Sequence, residues 1–352
     1  MRFMSIPRLM LLCICCCLAS LAHADAVSSF SRTLSVDGTD YKVRGVVIDL
    51  HNTSISMKVG LADGRIGQTE SLGGIAQRYG AVAAINGTFF DAYTKETLKN
   101  PDMALLTNGH FIFRSDLGTL LGFERDNTPH MGQVNVRLLG TLRQNGKVQS
   151  WYAYYINRVP SSASCITLFT HAWGEQVAPM GGSFVVVDHG KVSGFSDEAV
   201  TIPQDGYVIH FRGEGAQRAL FRLGQQVDLT PQINAPEQGA DTWKRVKEAL
   251  GAGPRVLAQG VPVFDPSAEG FSDPKILERA GARSAAGYTA DGKLFLITVS
   301  AVRVSALGPI LKALGCVEGM NLDGGTSSGL WYRGKYLTTP GRQISNALLV
   351  LQ

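Results

Sequence analysis

Short apolar stretches separated by turn residues run along most of this chain and predict a structure rich in β-hairpins. Four segments each hold two such stretches joined by an Asp-Gly, Asn-Gly or His-Gly pair, which favours a tight hairpin turn. They are residues 32–50, 104–113, 183–195 and 284–299, with turns at Asp37-Gly38, Asn108-Gly109, His189-Gly190 and Asp291-Gly292. Single strands are also predicted at residues 57–62, 81–86 and 346–351.

Helical periodicity is confined to three dispersed segments, residues 69–79, 242–250 and 305–314. The third is the clearest, because its apolar residues fall on one stripe, Ser305 can cap its start and Gly315 can end it. Hairpins therefore outnumber helices. The sequence predicts an α+β fold, with large mixed or antiparallel sheets and few helices packed on them.

Residues 1–24 predict a secretory signal peptide. They contain two arginines, an apolar run and the cleavage sequence Ala22-His23-Ala24. The apolar run is too short to span a bilayer as a helix. We therefore expect a periplasmic or secreted protein without a transmembrane segment. Its mature part, residues 25–352, is expected to form a single domain.

The mature chain is nearly neutral. The leader carries two arginines and no acidic residue, so its removal lowers the formal net charge from +4 to +2. This charge gives no electrostatic case for binding nucleic acid or a membrane surface. Cys165 and Cys316 remain, and the sequence leaves open whether they form one disulfide or two buried free thiols. With isolated histidines and no cysteine cluster, the sequence shows no zinc-binding pattern and predicts no cofactor, and it leaves a structural divalent cation open without indicating one.

The densest group of polar residues follows a short apolar strand near the end of the chain. Asn321 and Asp323 lie two positions apart, so both side chains leave the same face of an extended strand. Two glycines and three hydroxyl residues come next: Gly324, Gly325, Thr326, Ser327 and Ser328. Glycines let the backbone approach a ligand closely, and N–H groups there could form an anion-binding nest. A glycine-rich turn is the alternative, but a turn needs only one such polar residue.

A second, similar pattern occupies residues 84–91. An apolar strand ends at Asn86 and Gly87, and two phenylalanines and Asp91 follow. Taken alone, an Asn-Gly turn with aromatic core residues explains this pattern better. Its likeness to the first motif suggests instead that two strands ending in asparagine face each other across one pocket, with a phenylalanine available to stack on a sugar.

Two arginines near glycines are candidates for binding phosphate. Arg255 and Arg283 stand beside predicted strands, and a guanidinium donates two parallel hydrogen bonds to phosphate oxygens. The alternative for each is a surface arginine paired with a local carboxylate. Arg303 and Arg342 are weaker candidates. The serine-hydrolase elbow, the zinc-protease motif and the P-loop are all absent from the sequence.

Five segments, taken in order, resemble the phosphodiester glycosidase family. They are residues 84–91, 250–257, 283–292, 321–328 and 342–350. The resemblance runs from about residue 40 to the end of the chain, is most specific in the last third and is weak over residues 123–239. It implies hydrolysis of a sugar-1-phosphodiester, with release of the sugar from the phosphate, in cell-envelope or exopolysaccharide metabolism.

With this resemblance, Asp323 is expected to act as the catalytic base or nucleophile. Asp91 is the second catalytic candidate, as an acid/base group or as a ligand of a structural cation. Asn86 and Asn321 would hold sugar hydroxyls or an N-acetyl group. The other expected substrate-binding positions are Gly87, Arg255, Arg283, Gly324, Gly325, Thr326, Ser327 and Ser328, with phosphate bound by the arginines, the glycine backbone and Ser327.

Two positions depart from the commonest family pattern, because Thr88 and Thr326 stand where glycine is more usual. A threonine narrows the space for close backbone approach. This motivates an alternative to an enzyme, a non-catalytic module that binds phosphoglycans or cell-wall glycans. A third and weaker hypothesis is a phosphodiesterase that cuts the P–O bond. Such enzymes usually use a pair of metal ions, and the sequence shows no cluster of ligands for a metal pair.

Overall fold

The fold is mostly β. A computed structural model describes residues 25–352, and the predicted signal peptide lies outside the described residues. Strands account for 49% of the structure and helices for 12%. The expected α+β class is therefore corrected to mostly β. The reason is that each helix is at most seven residues long, so the helices cover parts of the sheets without forming a layer of their own.

The described residues form 27 strands. The first fourteen are β1 (Val27–Val36), β2 (Thr39–Asp49), β3 (Ser56–Leu61), β4 (Ala81–Asn86), β5 (Leu105–Thr107), β6 (His110–Phe113), β7 (Thr119–Phe123), β8 (Pro129–Gly132), β9 (Asn135–Gln144), β10 (Lys147–Ala153), β11 (Tyr155–Ile156), β12 (Cys165–Phe169), β13 (Gln176–Val177) and β14 (Ser183–Asp188). The others are β15 (Lys191–Ser196), β16 (Val200–Thr201), β17 (Gly206–Arg212), β18 (Gln226–Asn234), β19 (Glu248–Ala252), β20 (Arg255–Ala258), β21 (Val261–Pro262), β22 (Gly281–Thr289), β23 (Lys293–Val302), β24 (Cys316–Asn321), β25 (Leu330–Tyr332), β26 (Lys335–Thr338) and β27 (Asn346–Leu351).

Short helices connect the strands. The α-helices are α1 (Leu72–Arg78), α2 (Gly215–Arg218), α3 (Ala240–Arg245), α4 (Pro274–Leu277) and α5 (Leu307–Ala313). Four 3₁₀ turns lie at Ala62–Gly64, Ser267–Glu269, Val304–Ala306 and Gly325–Ser327. Ser71 caps α1, since its hydroxyl accepts the Gly74 N–H at 3.0 Å. Ser305 falls inside a 3₁₀ turn instead of capping α5.

The strands assemble into five sheets. A seven-stranded sheet has the order β1-β2-β23-β22-β24-β20-β21, and an eight-stranded sheet has the order β10-β9-β18-β15-β14-β17-β12-β11. Two five-stranded sheets follow the orders β6-β5-β19-β7-β8 and β26-β25-β4-β27-β3, and β13 pairs with β16. Among the paired strands of the described residues, only β11 and β12 run parallel.

The strands that end in the two asparagine motifs belong to different sheets, which share one core. β4 lies at the centre of its sheet, and its apolar sequence is buried on both faces. β24 is an internal strand of the seven-stranded sheet, between β22 and β20. Ile85 of β4 packs in the same buried cluster as Met320 of β24 and Leu322. This shared core brings the ends of β4 and β24 to one place.

All four predicted hairpins are confirmed, as β1–β2, β5–β6, β14–β15 and β22–β23. At the first turn Asp37 and Gly38 both have positive φ, 49° and 74°, as the Asp-Gly pair predicts. The strands predicted at residues 81–86 and 346–351 match β4 and β27.

The helix predicted at residues 242–250 is wrong in its second half. The helix α3 ends at Arg245, and residues 248–252 form β19, in which every residue is buried. β19 lies between β5 and β7, at the centre of its sheet. A strand that is buried on both faces shows no alternation of apolar and polar residues. Its short apolar sequence therefore cannot be distinguished from that of a buried helix.

The two cysteines are free thiols, which settles the alternative that the sequence left open. Cys165 lies in β12 of the eight-stranded sheet, and Cys316 lies in β24 of the seven-stranded sheet. Both are buried, and burial raises the pKa of the Cys316 thiol to about 12. They act as small apolar core residues.

Candidate active site

The ends of β4 and β24 are hydrogen bonded to each other. The Asp323 N–H donates to the Gly87 carbonyl at 3.1 Å, and the Asn86 side-chain amide donates to the Asp323 carbonyl at 2.7 Å. Asn86 and Asp323 are 237 residues apart in sequence. These hydrogen bonds therefore join the two motifs into one structural unit.

Asn86 connects this unit to its surroundings. Its Oδ1 accepts the Ser284 hydroxyl at 2.6 Å and the Gly329 N–H at 3.0 Å, and the residue is 1% exposed. Both ends of its amide are thus occupied by the protein. In the described structure Asn86 holds β4 against β22 and the loop after Asp323, a role that the sequence did not suggest.

Asn321 is also buried, but it is only partly satisfied. Its amide donates to the Gly253 carbonyl at 2.7 Å, whereas its Oδ1 has no hydrogen-bond partner. Three further buried polar atoms in the motifs lack a partner, namely Thr88 Oγ1, Ser328 Oγ and Arg283 Nε. Such atoms are rare in native structures and call for a bound water or ligand.

Asn346 is a third asparagine of this unit, and the sequence analysis missed it. Its Oδ1 accepts the Thr88 N–H at 2.9 Å. A Cβ added to Gly87 would lie 2.1 Å from this same oxygen, so no side chain fits there. Asn346 begins the predicted strand 346–351, where an asparagine before an apolar run looks like an ordinary strand end.

Asp323 is the central carboxylate, and it is partly exposed. Burial raises its pKa from the usual 3.8 to about 7, and the charge of Asp102 adds to the effect. Three groups lower this pKa in opposition to burial. They are the Ser327 hydroxyl, the Gly324 N–H, which lies 2.8 Å from Oδ1, and the positive charge of Arg342. Within residues 25–352, no cationic nitrogen lies within 4.0 Å of this carboxylate.

Asp102 is a second carboxylate that the sequence analysis missed. Burial and the charge of Asp91 raise its pKa to about 6. An isolated bridge between Phe90 and Pro101 brings Asp102 back to the second motif, and its N–H donates to the Phe89 carbonyl at 2.9 Å. The sequence Pro101-Asp102 looks like a common turn, so no local signal distinguishes it.

Asp91, the predicted second catalytic residue, shapes the loop after β4. Its Oδ1 accepts the Thr94 N–H at 3.1 Å in an Asx turn, and the residue is exposed. It acts on the site through its charge, which raises the pKa of Asp102. The prediction that Asp91 itself takes part in catalysis is not tested by this geometry.

Arg283 lies behind the glycine loop. It is 5% exposed, and its guanidinium donates to the main-chain carbonyls of Lys275 and of Arg279, the latter at 2.9 Å. A Cβ on Gly324 would lie 2.8 Å from Arg283 Nη1. The bare glycine therefore lets the loop rest on the arginine. The negative charge of Asp323 acts on Arg283, so the two residues that the sequence placed in one site lie close together.

Arg255 forms ion pairs with carboxylates of the protein. Its guanidinium pairs with Glu318 at 2.5 Å and also with Glu237, and its N–H donates to Glu269 at 2.7 Å. The structure thus shows an ion-pair network at the position where the sequence predicts a phosphate-binding guanidinium. This is the alternative stated above for any single arginine.

Of the two weaker arginine candidates, only Arg342 has a contact in this region. Its charge lowers the pKa of Asp323, and its Nη2 donates to the Tyr93 hydroxyl at 2.6 Å. Arg303 is exposed at the start of the 3₁₀ turn before α5.

The hydroxyl loop after Asp323 is compact. Gly325 has a φ of 63°, and Gly325–Ser327 forms a 3₁₀ turn. Ser327 and Ser328 are buried, whereas Thr326 is exposed. The Thr326 side chain fills the space beside Gly341, because a Cβ there would lie 2.6 Å from its methyl group.

Within residues 25–352, no three His, Cys, Asp or Glu side chains are grouped so that they could hold a metal ion. In the same part of the chain, none of the helices has the length and apolar character needed to cross a membrane. The expectation that no cofactor is required stays a prediction.

The fold and site together define a mostly-β protein with a half-buried carboxyl group of raised pKa where two sheets meet. The sequence model of the phosphodiester glycosidase family matches residues 174–351, about half of the chain. The chain belongs to the phosphodiester glycosidase family. No curated protein matches it.

Three solved structures share the fold. A hypothetical protein from Synechocystis has a TM-score of 0.78 and 23% identity, covering 92% of this chain. The chain spans 62% of that protein, less than two thirds of its length. A presumed exported protein from Burkholderia pseudomallei K96243 has a TM-score of 0.72 and 19% identity, covering 90% of this chain and 76% of that one.

The third is the catalytic domain of zebrafish N-acetylglucosamine-1-phosphodiester alpha-N-acetylglucosaminidase, auto-inhibited by its pro-peptide. Its TM-score is 0.53 at 14% identity, and the match covers 94% of this chain and 85% of that one. At these identities the three likenesses show the fold alone.

Proposed function

We propose that this protein hydrolyses a sugar-1-phosphodiester and releases the free sugar. The observation that carries the proposal is the Asp323 carboxyl group, whose pKa is raised to about 7 between the two motifs. Family membership supports it, and so does the activity in the name of the zebrafish structural neighbour. A base whose pKa lies near the working pH is well suited to general base catalysis.

In the proposed reaction Asp323 is the general base. Water attacks the anomeric carbon of the sugar, the C1–O bond breaks, and its electron pair leaves with the phosphate monoester. The Asp323 carboxylate takes the proton from the attacking water. A phosphate monoester is a weakly basic leaving group, so this step needs charge stabilisation more than it needs an acid.

Asp102 tunes the base in this account. Its charge raises the pKa of Asp323, while Asp91 raises the pKa of Asp102 in turn. We assign Asp91 this indirect role. The unpartnered Oδ1 of Asn321 is proposed to accept a hydrogen bond from a sugar hydroxyl, and the unpartnered Ser328 hydroxyl to donate one to the sugar or accept one from it. Asn86 is proposed to position the loop that carries Asp323.

The test is release of free sugar from a glycosyl-1-phosphodiester by the wild type and by Asp323→Ala. We expect sugar release by the wild type and a loss of at least about a thousandfold in kcat/KM in the variant. Equal rates in the two proteins would remove Asp323 from the mechanism.

A non-catalytic phosphoglycan-binding module is the second candidate. It is favoured by Thr326, which is exposed on the hydroxyl loop and fills space beside Gly341. Binding of a phosphoglycan without any turnover would support this candidate. Turnover by the wild type, together with faster turnover by Thr326→Gly, would instead identify Thr326 as a residue that restricts substrates.

We also propose that the protein acts outside the cytoplasm, in the periplasm or after secretion, in cell-envelope or exopolysaccharide metabolism. The predicted cleavage sequence before Asp25 and the presumed export of the Burkholderia structural neighbour support this proposal. N-terminal sequencing of exported protein should begin at Asp25. An intact leader on that protein would contradict the proposal.

A further inference from the structure

Three separate segments bring an aromatic ring and two cations together next to Asp323. Tyr93 lies in the loop after β4, Lys275 in α4, and Arg342 in the loop before β27. The Arg342 guanidinium lies over the Tyr93 ring at 4.6 Å, and the Lys275 Nζ lies 5.5 Å from the ring centroid. The cluster adjoins the loop after Asp323, because the Gly341 N–H, next to Arg342, donates to the Thr326 carbonyl at 2.8 Å, and the Lys275 carbonyl accepts from Arg283, on which Gly324 rests.

Neither cation of this cluster is neutralised by the protein. Within residues 25–352, Arg342 and Lys275 have no carboxylate oxygen within 4.0 Å. By contrast, Arg255 forms an ion pair with Glu237. Arg245 likewise forms an ion pair with Glu124. Two positive charges held against one neutral ring repel each other, and an anion bound between them would remove that repulsion.

Tyr93 contributes little to the core. Tyr93 is 77% exposed, and its ring and hydroxyl contact the two cations through the cation–π contacts and the hydrogen bond from Arg342. That hydrogen bond uses one N–H of the guanidinium and fixes its direction. The remaining N–H donors of Arg342 are then available as a fork for two oxygens of a phosphate.

We propose that Tyr93, Lys275 and Arg342 form an anion subsite that binds the phosphate group of the substrate, with Tyr93 as the residue that positions Arg342. The assignment of this phosphate to a sugar phosphodiester rests on the proposed function. Arg255 is neutralised by Glu318 and Glu237, so it does not offer a free positive charge to a phosphate. Lys275 and Arg342 of the subsite do offer such charges. Lys275, in α4, adds a compact positive charge to the subsite.

The binding test uses inorganic phosphate and titration calorimetry, which does not depend on turnover. We expect Arg342→Gln to weaken phosphate binding by about tenfold or more, and Lys275→Gln by about threefold. The matched controls are Arg125→Gln and Lys312→Gln, which remove the same charges at exposed positions outside the cluster. The same phosphate affinity in the wild type, the cluster variants and the controls would overturn the subsite.

The positioning role of Tyr93 has its own readout. Tyr93→Phe keeps the ring and removes the hydroxyl that accepts from Arg342, so we expect KM for a glycosyl phosphodiester to rise about fivefold. We expect kcat to stay within about twofold, because the hydroxyl has no part in the bond-breaking step. Tyr154→Phe, which removes another partly exposed hydroxyl, should leave both constants unchanged. An unchanged KM in Tyr93→Phe would contradict the positioning role.

The two proposals fail in different ways. Phosphate binding that depends on Arg342 and Lys275, without sugar release from any glycosyl phosphodiester, would uphold the subsite and reject the proposed function. Sugar release with the same KM in the wild type and in all three cluster variants would uphold the function and reject the subsite.

Discussion

The Asp323 site and the cleft beside the eight-stranded sheet differ in how their carboxylates are balanced. The cleft has a volume of about 1310 Å³ and includes Asp228 in its wall. Asp228 accepts hydrogen bonds from Arg143 at 3.1 Å and Thr141 at 3.2 Å, and its pKa is lowered, chiefly by Arg143. Asp323 has no such cationic partner, and burial raises its pKa to about 7.

This difference favours Asp323 over the larger cleft as the proposed position of the chemistry. A paired carboxylate such as Asp228 is stable in its charged form and has little tendency to accept a proton at neutral pH. For a half-buried carboxylate without a cationic partner, such as Asp323, the charged form is costly, and folds retain such groups mainly where reactivity requires them. On this basis our proposal locates the active site at the junction of the two sheets.

The largest expected difference is in activity. Asp323→Asn should lower kcat/KM for a glycosyl phosphodiester by at least about a thousandfold, since the base is removed with little change of shape. Asp228→Asn, the same substitution in the cleft, should leave kcat/KM within about twofold. If instead Asp228→Asn abolished sugar release and Asp323→Asn did not, the active site would lie in the cleft.

The second prediction concerns Asn86, which joins the two sheets at the site. Asn86→Ala removes three hydrogen bonds from a buried position, so the free energy of unfolding should fall by about 3 kcal/mol. Urea denaturation measures this change. Asn234→Ala, at an exposed strand end, is the control and should change stability by less than about 0.5 kcal/mol. A similar small effect at both positions would show that Asn86 does not hold the unit together.

The third prediction is the opposite pH dependence of stability in the two regions. The folded protein binds the Asp323 proton more tightly than the unfolded chain, so this group lowers stability as pH rises from about 4 to about 7. Asp323→Asn should therefore raise the free energy of unfolding at pH 8 by on the order of 2 kcal/mol, with no gain below about pH 4.

Asp228→Asn should have the reverse sign. The lowered pKa of Asp228 contributes stability above its unfolded pKa, and this contribution is lost as pH falls through the folded value. Because the side chain is exposed, the loss at pH 8 should be about 0.5 kcal/mol or less. Destabilisation by both substitutions at pH 8 would contradict the contrast between the two carboxylates.

The smallest expected effect is a shift in the pH profile. The charge of Asp102 raises the pKa of Asp323, so Asp102→Asn should move the acidic limb of kcat/KM to lower pH by about half a unit. Asp116→Asn, at an exposed loop position, serves as the control. A limb that stays in place or moves to higher pH would show that Asp102 does not act on the base.

The parts of the structure that the sequence could predict are those recorded in local patterns. The hairpin turn at Asp37-Gly38 and the helix predicted over residues 69–79 depend on residues close together in sequence, so local patterns predict them. The helix predicted over residues 242–250 is wrong only in its second half, because a strand buried on both faces loses the alternation that identifies a strand.

The site shows the same limit. The contact between Asn86 and Asp323 could be anticipated from two similar motifs, but the hydrogen-bonded role of Asn86 could not. Asp102 and Tyr93 have no distinctive neighbours in sequence, and only the folded loops bring them to Asp323. Arg255 looked available because its partners Glu318 and Glu237 are distant along the chain.

Hydrolysis in oxygen-18 water tests the central claim most directly. The account predicts that the wild type places the label in the released sugar, because water attacks the anomeric carbon, and that Asp323→Asn releases almost no sugar. Label found in the phosphate would mean cleavage of the P–O bond. That result, or undiminished labelling of sugar by Asp323→Asn, would contradict the account.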